Sequence, residues 1–339
     1  MSGLAIEIRQ LYKVFGNDPQ SLIKAAEGGM TRGEMLAKHK HVLALKDINL
    51  NIESGRIQVI MGLSGSGKST LIRHINRLID PTSGQILVGG TDVTSLSVKD
   101  LRQFRRDATA MVFQKFGLLP HRNVLDNTVY GLEVKGLPRA EQEKQARKWI
   151  DRVGLSGYED RLPRQLSGGM QQRVGLARAL SNDAPILLMD EAFSALDPLI
   201  RVDMQSVLLD LQKELRKTIV FITHDLDEAL RLGDRIAILK DGLVVQNGTP
   251  EDIVLSPADD YVSAFVHEVN RGRVVTLGAV MRQGEKSESS LGLAATLTLD
   301  EALSRMLDSG ISEASVLDAT GQVLGSAKLT DLVAATIRH

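Results

Sequence analysis

The chain has 339 residues, 43% of them hydrophobic, with 41 basic and 42 acidic side chains for a net charge of −1, and no cysteine. That length predicts about two domains with a real core, and the charge balance gives no polyanion-binding surface, so nucleic acid is not an expected partner. The lack of cysteine excludes disulfides, thiolate metal sites and a cysteine nucleophile; the first ten residues show no basic-then-apolar leader pattern, and no apolar run nears the ~18–20 residues of a membrane span.

Residues 4–15 alternate as a strand does, with Ile6, Ile8 and Val14 β-branched. Residues 16–41 interrupt. Pro19 opens a short helix that ends at Gly28-Gly29, and Thr31-x-x-Glu34 has the form of a capping box for a second helix, so this stretch reads as an inserted helical pair. Strand signals resume at 42–45 and 48–52, and the apolar run 57–61 reads as a buried strand. Directly after it comes Gly62-Leu63-Ser64-Gly65-Ser66-Gly67-Lys68-Ser69-Thr70, which fits the phosphate-loop pattern G-x-x-x-x-G-K-[ST] over residues 62–69. Leu71, Ile72 and Ile75 then recur at helical spacing, so the loop joins a strand to a helix. Its glycines let backbone N–H groups turn in around a phosphate chain. Lys68 can reach the β- and γ-phosphates and Ser69 can ligate Mg²⁺.

A turn at 81–84 leads to a strand at 86–88. Residues 97–165 are rich in charge and helix formers, and Ala146, Trp149, Ile150 and Val153 fall on one face of an amphipathic helix. Beyond 166, helices alternate with strands at 186–189, 219–222 and 236–239, which predicts a mostly parallel sheet. The first of these strands ends in Asp190-Glu191. That places Asp190 at the sheet's carboxyl end, able to hold Mg²⁺, and points Glu191 beyond the γ-phosphate, where it can polarise water. Taken alone, the pair reads more readily as a strand running into an acidic loop, or as caps; the phosphate loop beside it favours the metal and water roles. Residues 271–293 mix glycine, serine and charge as a linker does. Residues 294–339 form a small unit, with Thr298-x-x-Glu301 capping a helix that Gly310 stops. It buries too little surface to stand alone.

Leu166-Ser167-Gly168-Gly169-Met170-Gln171-Gln172-Arg173 lies between the phosphate loop and the Asp-Glu strand. Ser167 suits an N-cap, and the Gly168 and Gly169 amides make a second anion-binding device. In this order the motifs resemble the ATPase subunits of ABC transporters. The resemblance implies ATP and Mg²⁺ as cofactors and a homodimer, the 167–169 segment of one copy closing on the phosphate loop of the other. It implies an α/β P-loop NTPase fold of ABC type over residues 1–270: a RecA-like α/β core, an antiparallel β subdomain and an α-helical subdomain at about 97–165. It also implies that Gln114 contacts Mg²⁺ and water, that His224 contacts the γ-phosphate, and that Ser194-Ala195-Leu196-Asp197 couples the two sites, a role compatible with Asp197 capping a helix. Phe15 falls where an aromatic stacks on adenine; Tyr12 competes for that place, and either suits a core position.

The insert, the 61–67 and 189–201 segments and His224-Asp225-Leu226-Asp227-Glu228-Ala229 are similar to the branch that imports glycine betaine, choline, proline betaine and related osmolytes. Such relatives often end in two CBS-type modules; this sequence has room for one α+β module at 294–339, either a dimerising or regulatory element or a structural remnant. The resemblance further implies integral membrane permease partners, a periplasmic or lipid-anchored substrate-binding protein, and a peripheral place at the cytoplasmic face of the inner membrane. The competing expectation, a soluble ABC-type switch, calls for two ATPase halves or a long coiled coil; here there is one phosphate loop and no sustained heptad.

Overall fold

The computed structural model describes residues 3–114, 117–194, 196–267, 269–285, 287 and 291–337. They fall into two compact units: Met1–Asp225 with Leu232–Val245, and Leu226–Arg231 with Gln246–His339. Gln246 draws residues 256–258 to itself, donating to Ser256 O and accepting from Ala258 N, each at 2.9 Å.

In the first unit β1 (Ile6–Phe15) carries the insert that follows it: a short helix α1 (Ile23–Glu27) and α2 (Arg32–His39). The capping box is formed, with Thr31 and Glu34 each bonding the other's backbone N–H. Leu22, Ala26 and Met35 of the insert bury against Tyr12, Val14 and Leu43. The two strands expected at 42–52 are one, β2 (Val42–Ile52), in which Asp47 turns to φ 45° without ending the strand. An antiparallel sheet follows the order β2-β1-β4-β5, with β4 (Ser83–Val88) and β5 (Thr91–Asp92).

The second sheet runs β10-β9-β3-β8-β7-β6. Its strands are β3 (Ile57–Met61), β6 (Thr109–Val112), β7 (Ile186–Asp190), β8 (Thr218–Thr223), β9 (Arg235–Lys240) and β10 (Leu243–Gly248). From β9 to β6 every pairing is parallel. β3, β7 and β8 are buried at every position, as unbroken apolar runs demand of a sheet covered on both faces. Helix α3 (Lys68–Ile75) inserts Leu71, Ile72 and Ile75 into one apolar cluster with residues of both sheets. Each such side chain contributes about 1.5–3 kcal/mol, and together they anchor the loop at the helix start. Helix α4 (Val98–Asp107) opens the charged stretch 97–165, and β6 follows within it because Thr109 to Val112 pair with β7. The helical layer is α5 (Val124–Val134) and α6 (Arg139–Arg152) with α7 (Gly168–Ser181); Ala146, Trp149, Ile150 and Val153 are buried as expected. Helix α8 (Pro198–Leu215) precedes β8.

In the second unit, the parallel pair of residues 292–294 and 313–317 extends antiparallel through 323–328 to 282–283, with helices Leu299–Asp308 and Leu329–Ile337. The assignment of 271–293 to a linker is corrected. Arg271–Arg273 forms a helical turn, Leu277–Val280 another, and Arg282 and Gln283 join the sheet. Val275 and Leu277 are fully buried, two apolar anchors that the surrounding glycine, serine and charge conceal.

Candidate active site

The strand order brings four carboxyl ends together. Adjacent strands β3, β8, β7 and β6 end in the phosphate loop, His224, Asp190-Glu191 and Gln114, the edge where parallel sheets bind ligands. The phosphate loop depends on its glycines: Gly62, Gly65 and Gly67 have φ of 148°, 80° and 107°. A Cβ on Gly67 would stand 2.8 Å from Ala44 O and 2.9 Å from Leu45 Cδ2. Gly67 also caps α3 without a side-chain bond, leaving the first-turn N–H groups free of side-chain partners and suited to an anion.

The cavity under this edge has a volume of about 440 Å³ and is lined by Phe15, Ser64, Gly65, Gly67, Lys68, Ser69, Thr70, Gln114 and Glu191, together with Arg32, Val42 and Ala44. Gly62 and Ser66, also expected to bind the nucleotide, are not among the residues that line it. Gly62 is pressed against Leu239 O, and Ser66 is buried beneath the loop with its Oγ unpartnered among the described residues. Lys68 is buried and donates to Gly62 O at 2.8 Å and Leu63 O at 3.1 Å. Burial lowers its pKa, and the Glu191 and Asp190 carboxylates oppose that shift.

Asp190 is buried. Its Oδ1 accepts from Ser69 Oγ at 2.8 Å and its Oδ2 from Arg73 Nη2 at 3.1 Å. Glu191 takes φ 47°, a conformation that costs a non-glycine residue on the order of 1–3 kcal/mol. Its backbone is held there by Ile222 O, which accepts its N–H, and by Ser194, whose Oγ donates to its carbonyl at 2.9 Å. The carboxylate thereby meets Gln114 Nε2 at 2.8 Å, His224 Nδ1 at 3.6 Å and Lys68 Nζ at 4.0 Å. Three side chains, from the glutamine segment, the end of β8 and the phosphate loop, thus meet at one carboxylate.

Phe15 is 40% exposed, with Lys13 Nζ 4.9 Å from its ring centroid, whereas Tyr12 is buried in the insert's cluster; the exposed ring is therefore Phe15. Ser167, Gly168 and Gly169 are not among the residues lining the cavity. Ser167 caps α7, accepting from Met170 N at 3.3 Å, and both Ser167 and Gly168 are exposed. Asp197 stands at the N-cap of α8 before Pro198, but its side chain makes no capping bond. Three neighbours escaped the sequence reading: Arg32, Arg73 on Asp190, and His74, buried in the last turn of α3 with Nδ1 against Thr70 O at 2.7 Å. Only the positions of Arg73 and His74, in the helix that follows the loop, offered a signal.

A phosphate loop, an acidic strand end and a glycine-led helix on this sheet define a nucleotide-binding cassette of ABC type. The family model described as ABC transporter matches residues 45–194. The glycine betaine transport ATP-binding protein OpuAA of Bacillus subtilis is 48% identical over 322 residues, 95% of this chain and 76% of the relative. The trimethylamine N-oxide transport system ATP-binding protein TmoW of Ruegeria pomeroyi is 47% identical over 326 residues, 96% of this chain and 95% of the relative. Among solved structures, the dimeric ATP-binding cassette MJ0796 bound to ADP and Pi aligns with a TM-score of 0.62 at 33% identity, covering 72% of this chain and 98% of that one. The chain belongs to the ABC transporter family, as an ATP-binding, ATP-hydrolysing subunit of its glycine betaine/proline betaine uptake branch.

Proposed function

We propose that this chain hydrolyses MgATP at a site completed by a second copy, and so powers uptake of a small methylated amine through a membrane permease. The observation that carries the reading is the Glu191 carboxylate, turned into the cavity by a strained backbone and held by Gln114 beside Lys68. Phe15 stacks on adenine, and the loop amides with Lys68 bind the phosphates. Glu191 takes the proton of the water that attacks the γ-phosphorus, and His224 holds the γ-phosphate, leaving ADP and phosphate. Ser69 and Asp190, with Gln114, would hold Mg²⁺. An ion of this kind takes one or two protein oxygens beside phosphates and water, which Ser69 and Asp190 can provide. Mg²⁺ supplies charge neutralisation on the β- and γ-oxygens.

The 167–169 helix start, exposed at Ser167 and Gly168 and absent from the cavity lining of its own chain, suits the opposite phosphate loop of a partner copy, and the dimeric MJ0796 cassette supports this. Asp197, whose side chain makes no capping bond, takes the role of coupling the two sites at the join. No helix among the described residues is long and apolar enough to cross a membrane. In this reading the permease is a separate chain, and this one sits peripherally, at the cytoplasmic face of the inner membrane. The strand-helix-strand-strand-helix order of residues 292–337 supports a single CBS-like module. TmoW, which matches this chain almost end to end, is named for trimethylamine N-oxide, and OpuAA for glycine betaine, which supports a small methylated amine as the cargo.

The test is uptake by vesicles holding this chain, its permease and its substrate-binding protein, offered glycine betaine, proline betaine, choline, carnitine and trimethylamine N-oxide. ATP-dependent uptake of at least one, abolished by Lys68→Ala, is expected. ATP hydrolysis with uptake of none of them would overturn the assignment.

A further inference from the structure

Of the helical insert, one side chain lines the cavity, and no role has yet been given to it. Arg32 is the first residue of α2, where the Thr31–Glu34 capping box sets the start of the helix. Its Nη1 donates to Gly65 O, in the phosphate loop, at 2.7 Å. That is its one hydrogen bond among the described residues, and no carboxylate pairs with it there. The rest of the guanidinium is left beside a cavity whose other cation, Lys68, is committed to Gly62 O, Leu63 O and Glu191. The insert is no loose loop. Met35, Ala26 and Leu22 seat it on Tyr12 and Val14, next to Phe15, and Lys46 Nζ reaches Met30 O at 3.3 Å.

We propose that the insert is part of the nucleotide site and that Arg32 is a phosphate ligand, its spare N–H groups binding the polyphosphate while Nη1 stays on Gly65. The inference rests on the reading of this cavity as the ATP site. A planar fork anchored at one nitrogen is preorganised for a phosphate oxygen at the others.

Calorimetric titration of the purified full chain with ATP, ADP and AMP tests it, with Arg32→Ala and Arg32→Lys compared with wild type. Arg32→Ala is expected to weaken ATP binding about tenfold or more, the scale of one charge-assisted bond. The loss should shrink from ATP to AMP, Arg32→Lys should recover part of it, and the melting temperature without nucleotide should stay at the wild-type value. ATP affinity within about twofold of wild type would overturn the proposal. So would an equal loss for ATP and AMP accompanied by a lower melting temperature, since Arg32 would then only prop the loop. A wild-type chain that binds no ATP, like a Lys68→Ala control, would instead overturn the reading of the cavity on which the inference stands.

Discussion

Replacing Glu191 by glutamine isolates its charge from its shape. The amide oxygen can take the place of Oε2 and keep the 2.8 Å bond from Gln114, and the strained backbone is held by Ile222 and Ser194, which the substitution leaves alone. What is lost is the base. A positioned general base supplies about 10²–10⁴-fold, or roughly 3–5 kcal/mol of barrier. ATP binding should persist or tighten, because Lys68 loses a competing carboxylate 4.0 Å away. Phosphate release, nucleotide titration and size-exclusion chromatography with ATP and Mg²⁺ together read all three consequences: hydrolysis falls at least about a hundredfold, affinity holds, and a dimer accumulates. Hydrolysis within about tenfold of wild type would refute Glu191 as the base, whatever the affinity.

Burial lowers the His74 pKa to about 4 from the ordinary imidazole value of 6.5. The unfolded chain thus binds the proton first as pH falls, so the stability is fully present above about pH 6.5 and drains towards pH 4, about 2 kcal/mol being lost by pH 5. Denaturant titrations at pH 7 and pH 5 should show this loss and its near-disappearance in His74→Asn; an unchanged pH dependence in that variant would contradict the assignment. Gly67→Ala combines a φ of 107° with a methyl 2.8 Å from Ala44 O, so it should cost about 2–5 kcal/mol and ATP binding with it; a wild-type denaturation midpoint would show that the loop relaxes. Phe15→Ala removes the exposed ring and should weaken ATP by about 1–3 kcal/mol while leaving inorganic tripolyphosphate binding unchanged. Equal losses for both ligands would take Phe15 off the adenine.

What the chain declares locally was legible. The phosphate loop, the Asp190-Glu191 strand end and both capping boxes are patterns of a few adjacent residues, and each stands where the pattern put it. Gln114 and His224 required the family resemblance, because a single residue after a strand carries no signal of its own. The misreadings share a physical cause: composition hid a tertiary contact. Gly272 looked like linker glycine but backs onto Asp300, where a Cβ would stand 1.9 Å from Oδ1. Lys46 and Asp47 looked like a break between strands because the polar pair sits inside β2, where the backbone turns at Asp47. Arg32 meets Gly65 across 33 residues of sequence, and Arg73 meets Asp190 across 117, distances over which no periodicity speaks.

The central claim, that each phosphate loop is half a site, is tested most directly by mixing two damaged chains. A Lys68→Ala chain keeps an intact 167–169 segment, and a Ser167→Arg chain keeps an intact phosphate loop. Each alone should be nearly inactive as an ATPase. Mixed in equal amounts, half of the dimers carry one fully intact site, and hydrolysis should return towards about a quarter of wild type. A mixture as inactive as either chain alone, or a Ser167→Arg chain that hydrolyses ATP at the wild-type rate, would contradict the account.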